Sequence, residues 1–212
     1  MDGVLVDSEP MHVRAWHQAM GEIARQYPAG WFLPWVGVPD ITLAHHLQRE
    51  HGAWPSPEAL LADKRRAYHE ITRRELAPFP GVVEGLEWFR AHAVPVAVAT
   101  SAARTEADVL LELTGLLGYF PVRVTLADVS RPKPAPDPFL KAAELLNVEP
   151  ASCFIVEDSP TGVAAARAAG AVVLAVATSH AAEKLTAAHH VFPNTAEALA
   201  WIRERVEAEL LA

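Results

Sequence analysis

At 212 residues the chain can form one large domain or a core with a smaller insertion, and at 51% hydrophobic residues it can bury a substantial core. A formal net charge of −8 lacks the basic face by which a general nucleic-acid binder neutralises phosphates, so any phosphate must be met locally. The one cysteine, Cys153, excludes a disulfide framework and a cysteine metal cluster. With no signal-peptide pattern and no apolar run of ~18 residues, the expectation is a cytoplasmic protein with neither nucleic acid nor membrane as partner.

The chain opens "MDGVLVDSEP", an Asp-Gly turn signal at Asp2 and Gly3 with no strand in front of it. From residue 9 to about 78, patterns such as "HVRAWHQAMGEIARQ" and "SPEALLADKRRAYHEITRREL" suit amphipathic helices, and strand signals are absent. Ser56 followed by Pro57 reads as an N-cap with proline in the first helical turn. The run "DKRRAYHEITRRE" reads mostly as a solvated helix face, with Arg65 or Arg66 as the candidates to meet an anion.

After Pro78 to Gly81 the character changes. Strands are predicted at "VPVAVAT" (94–100), "VRVTLA" (122–127), "CFIVED" (153–158), "AVVLAVA" (171–177) and "HVF" (190–192). Helical stretches lie between them, with Asp137-Pro138 and Ser159-Pro160 as helix starts, Gly170 after a helix end, and Asn194 with Glu197 as a capping-box-like start. Runs that are apolar throughout suit strands covered on both faces. The predicted fold is therefore α/β, a Rossmann-like parallel-sheet core formed by residues 1–8 and 79–212, with a helical insertion over residues 9–78. Cys153, at the start of an apparently buried strand, reads as a small apolar filler. The pairs His45-His46 and His189-His190 lack the spacing of a metal site on one helix face.

In such a sheet ligands gather at the carboxyl ends of the strands. Thr100 and Ser101 follow one strand, Glu157, Asp158 and Ser159 another, and Lys133 lies in the loop "SRPKPAPD". Asp2 joins them if a strand precedes it. Each has a plainer reading: Thr100 or Ser101 as a helix cap, Asp158 as a partner of a helix dipole, Lys133 as a solvated lysine, Asp2-Gly3 as a turn.

Taken together, "MDGVLVDSE", "VATSA", "PKPAPDPF" and "EDSPTGVAAARAAG" resemble the haloacid dehalogenase-like superfamily of phosphohydrolases, most closely its β-phosphoglucomutase-like branch. The resemblance implies an Asp carboxylate that attacks phosphorus to give an aspartyl phosphate, then hydrolysed by water. It also implies Mg²⁺ to offset the repulsion between carboxylate and phosphate. By the same resemblance Asp158 is the metal's side-chain ligand, with Glu157 a ligand or supporting acid. Thr100 and Lys133 donate to the phosphoryl oxygens, with Ser101 and Ala102 beside them in the binding loop. Asp2 matches the second Asp of the motif Asp-x-Asp-Gly. It is then the general acid and base, with its backbone carbonyl on the metal.

The nucleophile would stand directly before Met1, at the end of a strand that lies in the middle of the family's sheet. Strands sit ~4.8 Å apart, so its two neighbours would be left nearly ~10 Å apart without it. The expectation is a natural chain that begins upstream with an apolar strand ending in Asp, which leaves catalysis by residues 1–212 alone open.

The insertion resembles the helical cap of this branch, which closes over the site and reads the leaving group. His12 and Trp16 match its hinge and substrate pocket, and "WVGVPD" (35–40) its substrate-facing segment. Asp40 stands where the mutases carry an Arg, and Glu70 replaces a mutase lysine. Both changes favour a phosphatase acting on a small phosphorylated metabolite, as monomer or homodimer. The alternatives are a β-phosphoglucomutase-like sugar-phosphate mutase and a catalytically dead homologue that binds metabolites or a partner.

Overall fold

The computed structural model describes residues 1–35 and 38–210. They form two compact units, Ser8–Leu76 and a second made of Met1–Asp7 with the chain from Ala77 onward.

The first unit is helical, with no strand among its described residues. Helix α1 spans Glu9–Met20, two 3₁₀ stretches follow at Gly21–Gln26 and Ala29–Trp35, and α2 and α3 span Asp40–His51 and Pro57–Glu75. The Ser56 hydroxyl accepts the Ala59 amide at 3.2 Å, which places the predicted cap at the start of α3. Trp16, Met20, Phe32, Leu43, Leu47 and Leu60 form its core, contributed by every helix of the unit. Of "WVGVPD", Val36 and Gly37 lie outside the described residues.

The second unit alternates strands and helices: α4 Val82–Ala91, β1 Ala97–Ala99, α5 Arg104–Leu113, β2 Val122–Val124, α6 Asp137–Leu146, β3 Phe154–Glu157, α7 Pro160–Ala168, β4 Val172–Val176, β5 His190–Phe192 and α8 Thr195–Leu210. All strand pairings are parallel, so every strand points its carboxyl end the same way within its sheet. The helix starts follow the capping chemistry. Ser159 Oγ accepts from the Gly162 amide at 3.0 Å, and Asn194 exchanges hydrogen bonds with the Glu197 amide and carboxylate at 3.0 and 2.9 Å. Asp137 differs from its expected role. Pro136 takes the cap position, Asp137 sits inside the first turn, and its carboxylate accepts from Arg131 instead.

The strands form two sheets rather than one, β1-β2 and β3-β4-β5. Between β1 and β3 lies a cavity of about 520 Å³. Its walls are the backbone and side chains of both strands, Met1 and Leu5, Phe89 of α4, Phe139 of α6, and Ile202 of α8. Two parallel strands thus present unpaired edges to one mostly apolar slot flanked by helices on its other sides. The cavity also explains a burial pattern at odds with the sequence. Phe154, Ile155 and Val156 are only half-buried although β3 is apolar, whereas β4, paired on both edges, buries four of its five residues. Cys153 is half-buried just before β3, not a core filler.

Amide hydrogen exchange checks this arrangement. Amides of β4 should exchange slowest, while alternate amides of β1 and β3 facing the slot should exchange at least ~10-fold faster. Equal protection of β3 and β4 would mean that the slot is closed.

Candidate active site

The site is built around Lys133. The sequence permitted a solvated loop lysine, but its side chain is only 11% exposed. The ammonium donates to the Glu157 carboxylate at the end of β3, to the Ala99 carbonyl at the end of β1 at 3.2 Å, and lies 4.7 Å from the centroid of the Phe139 ring. One cation therefore bridges the carboxyl ends of the two strands that the slot keeps apart.

Glu157 is almost fully buried, which by itself pushes its carboxyl up. The Lys133 and Met1 ammonium charges and the hydrogen bonds from Lys133 and Ser159 outweigh that, and hold it below the usual glutamate range. Its other oxygen accepts from the Asp158 amide and the Ser159 hydroxyl, both at 3.2 Å. Gly162 is required here: a side chain at that position would collide with the Glu157 carboxylate.

Asp158 behaves in the opposite way. Burial, and then the adjacent Glu157 charge, raise its carboxyl above the usual aspartate range against the pull of the Ser179 hydroxyl and the two ammonium groups. It lies against the N-terminal segment, because a Cβ on Gly3 would meet the Asp158 carboxylate and the Ser179 hydroxyl. Gly3 has a φ of +66°, which a side chain would strain in any case. Asp2 thus enters a tight turn, bridged to Val6. The turn is pinned by Thr178, whose hydroxyl donates to the Gly3 carbonyl, and by Thr195, which donates to the Val4 carbonyl at 2.7 Å.

Thr100 is buried just past β1, its amide donating to the Val124 carbonyl at 2.9 Å and its hydroxyl accepting from the Ala102 amide at 3.1 Å. Helix α5 begins later, with Ala103 as its cap, so neither Thr100 nor Ser101 serves as that cap. Lys133, Glu157, Asp158, Thr100, Ser101, Ala102 and the Asp2-Gly3 turn all belong to this unit. Sequence reasoning missed Thr178, Ser179 and His180, the last donating from Nδ1 to the Asp158 carbonyl at 3.1 Å. The signal was present, since "AVATS" occurs at residues 97–101 and again at 175–179, each time at a strand's carboxyl end.

No group of three or more His, Cys, Asp and Glu converges as a metal cage among the described residues. A hard cation that keeps most of its waters needs only one or two carboxylates. Asp158 and Glu157 offer carboxylate oxygens of the kind such a cation takes, and the Asp158 carboxyl is raised chiefly by burial and then by the adjacent Glu157 charge.

His12 and Trp16 lie in the helical unit. Both line a cavity there of about 160 Å³ with Glu9, Phe32, Trp35 and Asp40. Behind it, Lys64 is fully buried and donates to Asp40 and to His12, which the reading of a solvated helix face missed. Arg65, Arg66 and Glu70 are exposed, as that reading expected.

A buried lysine and threonine beside paired acids stand at the carboxyl ends of parallel strands, where α/β folds gather their ligands. The model of the haloacid dehalogenase-like hydrolase family matches residues 1–176, and the chain belongs to that family. It is 34% identical over 170 residues to the fructose-1-phosphate phosphatase YqaB of Escherichia coli strain K12, covering 80% of this chain and 89% of that protein. It is 32% identical to a phosphorylated carbohydrates phosphatase of Thermotoga maritima, covering 80% and 79%. A solved Deinococcus radiodurans R1 hydrolase of the same family, with bound phosphate and sodium, superposes with a TM-score of 0.81 at 26% identity, covering 96% of this chain and 93% of that one.

Replacing Lys133 tests the electrostatics. Lys133→Met should destabilise the protein by about 3–5 kcal/mol, because it strands the Glu157 charge. Lys133→Met with Glu157→Gln should lose much less than the sum of the two single changes. Additive losses in urea unfolding would mean that the pair is not coupled.

Proposed function

We propose that this protein is a Mg²⁺-dependent phosphatase that hydrolyses a small organic phosphomonoester through an aspartyl-phosphate intermediate. The observation that carries the reading is the Lys133 ammonium, buried where β1 and β3 end. An ammonium there meets a phosphoryl group and an attacking carboxylate together, and the Thr100 hydroxyl adds a donor on the β1 side. Asp2 acts as general acid toward the leaving oxygen and then as base toward water. Asp158 and the Asp2 backbone carbonyl hold Mg²⁺, with Glu157 supporting both Asp158 and Lys133. When bound, the cation offsets the repulsion between attacking carboxylate and phosphate.

The nucleophile in this reading is the Asp at the end of a strand that fills the β1–β3 slot and leads into Met1. Two features support it. Met1 itself lines the slot. Kept dry, an apolar space of about 520 Å³ costs on the order of 10 kcal/mol, comparable with the stability of a whole domain. The names of the two curated relatives support a phosphatase acting on phosphorylated carbohydrates. Asp40 and Glu70, in place of cationic residues, support a monophosphate substrate over a mutase's bisphosphate intermediate.

An extended protein with an apolar strand the length of β3, ending in Asp directly before Met1, should hydrolyse p-nitrophenyl phosphate in MgCl₂. Residues 1–212 alone should not. In the extended protein Asp2→Asn should lower kcat by ~10²–10⁴-fold. An extended protein that folds and binds Mg²⁺ without turnover would instead identify a binding homologue.

A further inference from the structure

Two consecutive hydroxyls, Thr178 and Ser179, follow the end of β4, and both reach across to other segments of the α/β unit. The next helical turn, Ala182–Lys184, starts from Ala181, so neither hydroxyl serves as its cap. Thr178 donates to the Gly3 carbonyl, 175 residues earlier in the chain. The Ser179 hydroxyl bonds to the Asp158 carboxylate. His180 then holds the backbone of the same aspartate, its Nδ1 donating to the Asp158 carbonyl at 3.1 Å. The matching stretch at the end of β1 behaves otherwise, since Thr100 uses its hydroxyl locally and accepts the Ala102 amide at 3.1 Å.

These contacts meet at one point. A Cβ on Gly3 would strike both the Asp158 carboxylate and the Ser179 hydroxyl, so the turn, the acid and the hydroxyl touch one another. The strand that presents the two hydroxyls is well anchored. It pairs with β3 on one edge and β5 on the other, and the Ala177 amide prolongs the second ladder by donating to the Phe192 carbonyl at 2.9 Å. A hydroxyl held this way orients a carboxylate without using it up, because a carboxylate has about four acceptor positions and one hydrogen bond takes one. The bond to an ionised acid is also stronger than one between neutral groups. Such orientation matters most for a hard cation, whose position is set by the oxygens around it.

We propose that Ser179 and Thr178 are positioning residues of the cation site: Ser179 orients the Asp158 carboxylate, Thr178 fixes the Asp2-Gly3 turn against it, and the anchored end of β4 sets both. This rests on the reading of Asp158 and the Asp2 backbone carbonyl as the holders of Mg²⁺. Both residues act through other groups, Ser179 through the Asp158 carboxylate and Thr178 through the Gly3 carbonyl. The distinctive consequence is that cation affinity depends on these two hydroxyls beyond any effect on the stability of the fold.

The experiment is a Mn²⁺ titration of the 212-residue chain, with free Mn²⁺ read from its electron paramagnetic resonance signal and Mg²⁺ as competitor. The wild type should show a saturable site from which Mg²⁺ displaces Mn²⁺. Ser179→Ala should weaken it at least ~10-fold, the loss expected when a group that orients a metal ligand is removed. Thr178→Val, which keeps the shape but not the hydroxyl, should weaken it in the same direction, and Thr178→Ser, which restores the hydroxyl, should return it to within about threefold of wild type. Urea unfolding of each variant separates the site from the fold. A lowered unfolding midpoint with unchanged Mn²⁺ affinity of the folded protein is what a merely structural role gives, and it overturns the proposal. Ser179→Ala, a smaller change at a half-buried position, carries the test where Thr178→Val fails to fold. A Mn²⁺ site present in the wild type and indifferent to Ser179→Ala overturns the proposal and leaves the cation reading standing. No saturable Mn²⁺ site in the wild type overturns the cation reading itself, and the proposal with it.

Discussion

A single buried ammonium organises the α/β unit of this protein. Lys133 sits where β1 and β3 end, bonded to the last carbonyl of one and the last carboxylate of the other. These strands belong to different sheets, with a mostly apolar slot between them. Without the cation, Glu157 would be an isolated buried charge at the mouth of that slot. With it, two strand ends are held at one point together with Thr100, Asp158 and the Asp2-Gly3 turn. The glycines at positions 3 and 162 follow from the same crowding, since any side chain there would strike one of the two acids.

The two acids are adjacent in sequence but differ in chemical environment. Glu157 is turned toward Lys133 and Ser159, which hold its carboxyl low, whereas Asp158 is turned toward Ser179 and Gly3, where burial and then the Glu157 charge raise its carboxyl. Such a division suits a site in which one acid fixes a lysine and the other waits for a cation. The helical unit handles its own buried lysine differently. Lys64 is buried with its ammonium paired to the Asp40 carboxylate and donating to His12 Nδ1, and it does not line the cavity there.

Much of this was legible from residues alone. The apolar runs marked the five strands, although only β4 is buried along nearly its whole length, and Ser159, Asn194 and Ser56 announced the helix starts they cap. The carboxyl-end rule found Thr100, Lys133, Glu157 and Asp158. What it missed has physical causes. Thr178 and Ser179 repeat the "AVATS" stretch of β1, but they lie outside the four stretches that carry the family resemblance. Lys64 lies in a run of charges whose neighbours Arg65 and Arg66 are exposed, and only the tertiary packing of α1 and α2 against α3 selects the one that is buried. The half-exposure of β3 depends on what pairs with its free edge, which its own residues do not encode.

The central claim is that the ends of β1 and β3, joined through Lys133, form a phosphate site. Calorimetric titration of residues 1–212 with inorganic phosphate in MgCl₂ tests it most directly, comparing wild type with Thr100→Val, which removes one hydroxyl at nearly constant shape. The account predicts one saturable site, weakened about 10- to 100-fold by the substitution, as expected for loss of a hydrogen bond to a charged group. No binding, or binding indifferent to Thr100→Val, would contradict it.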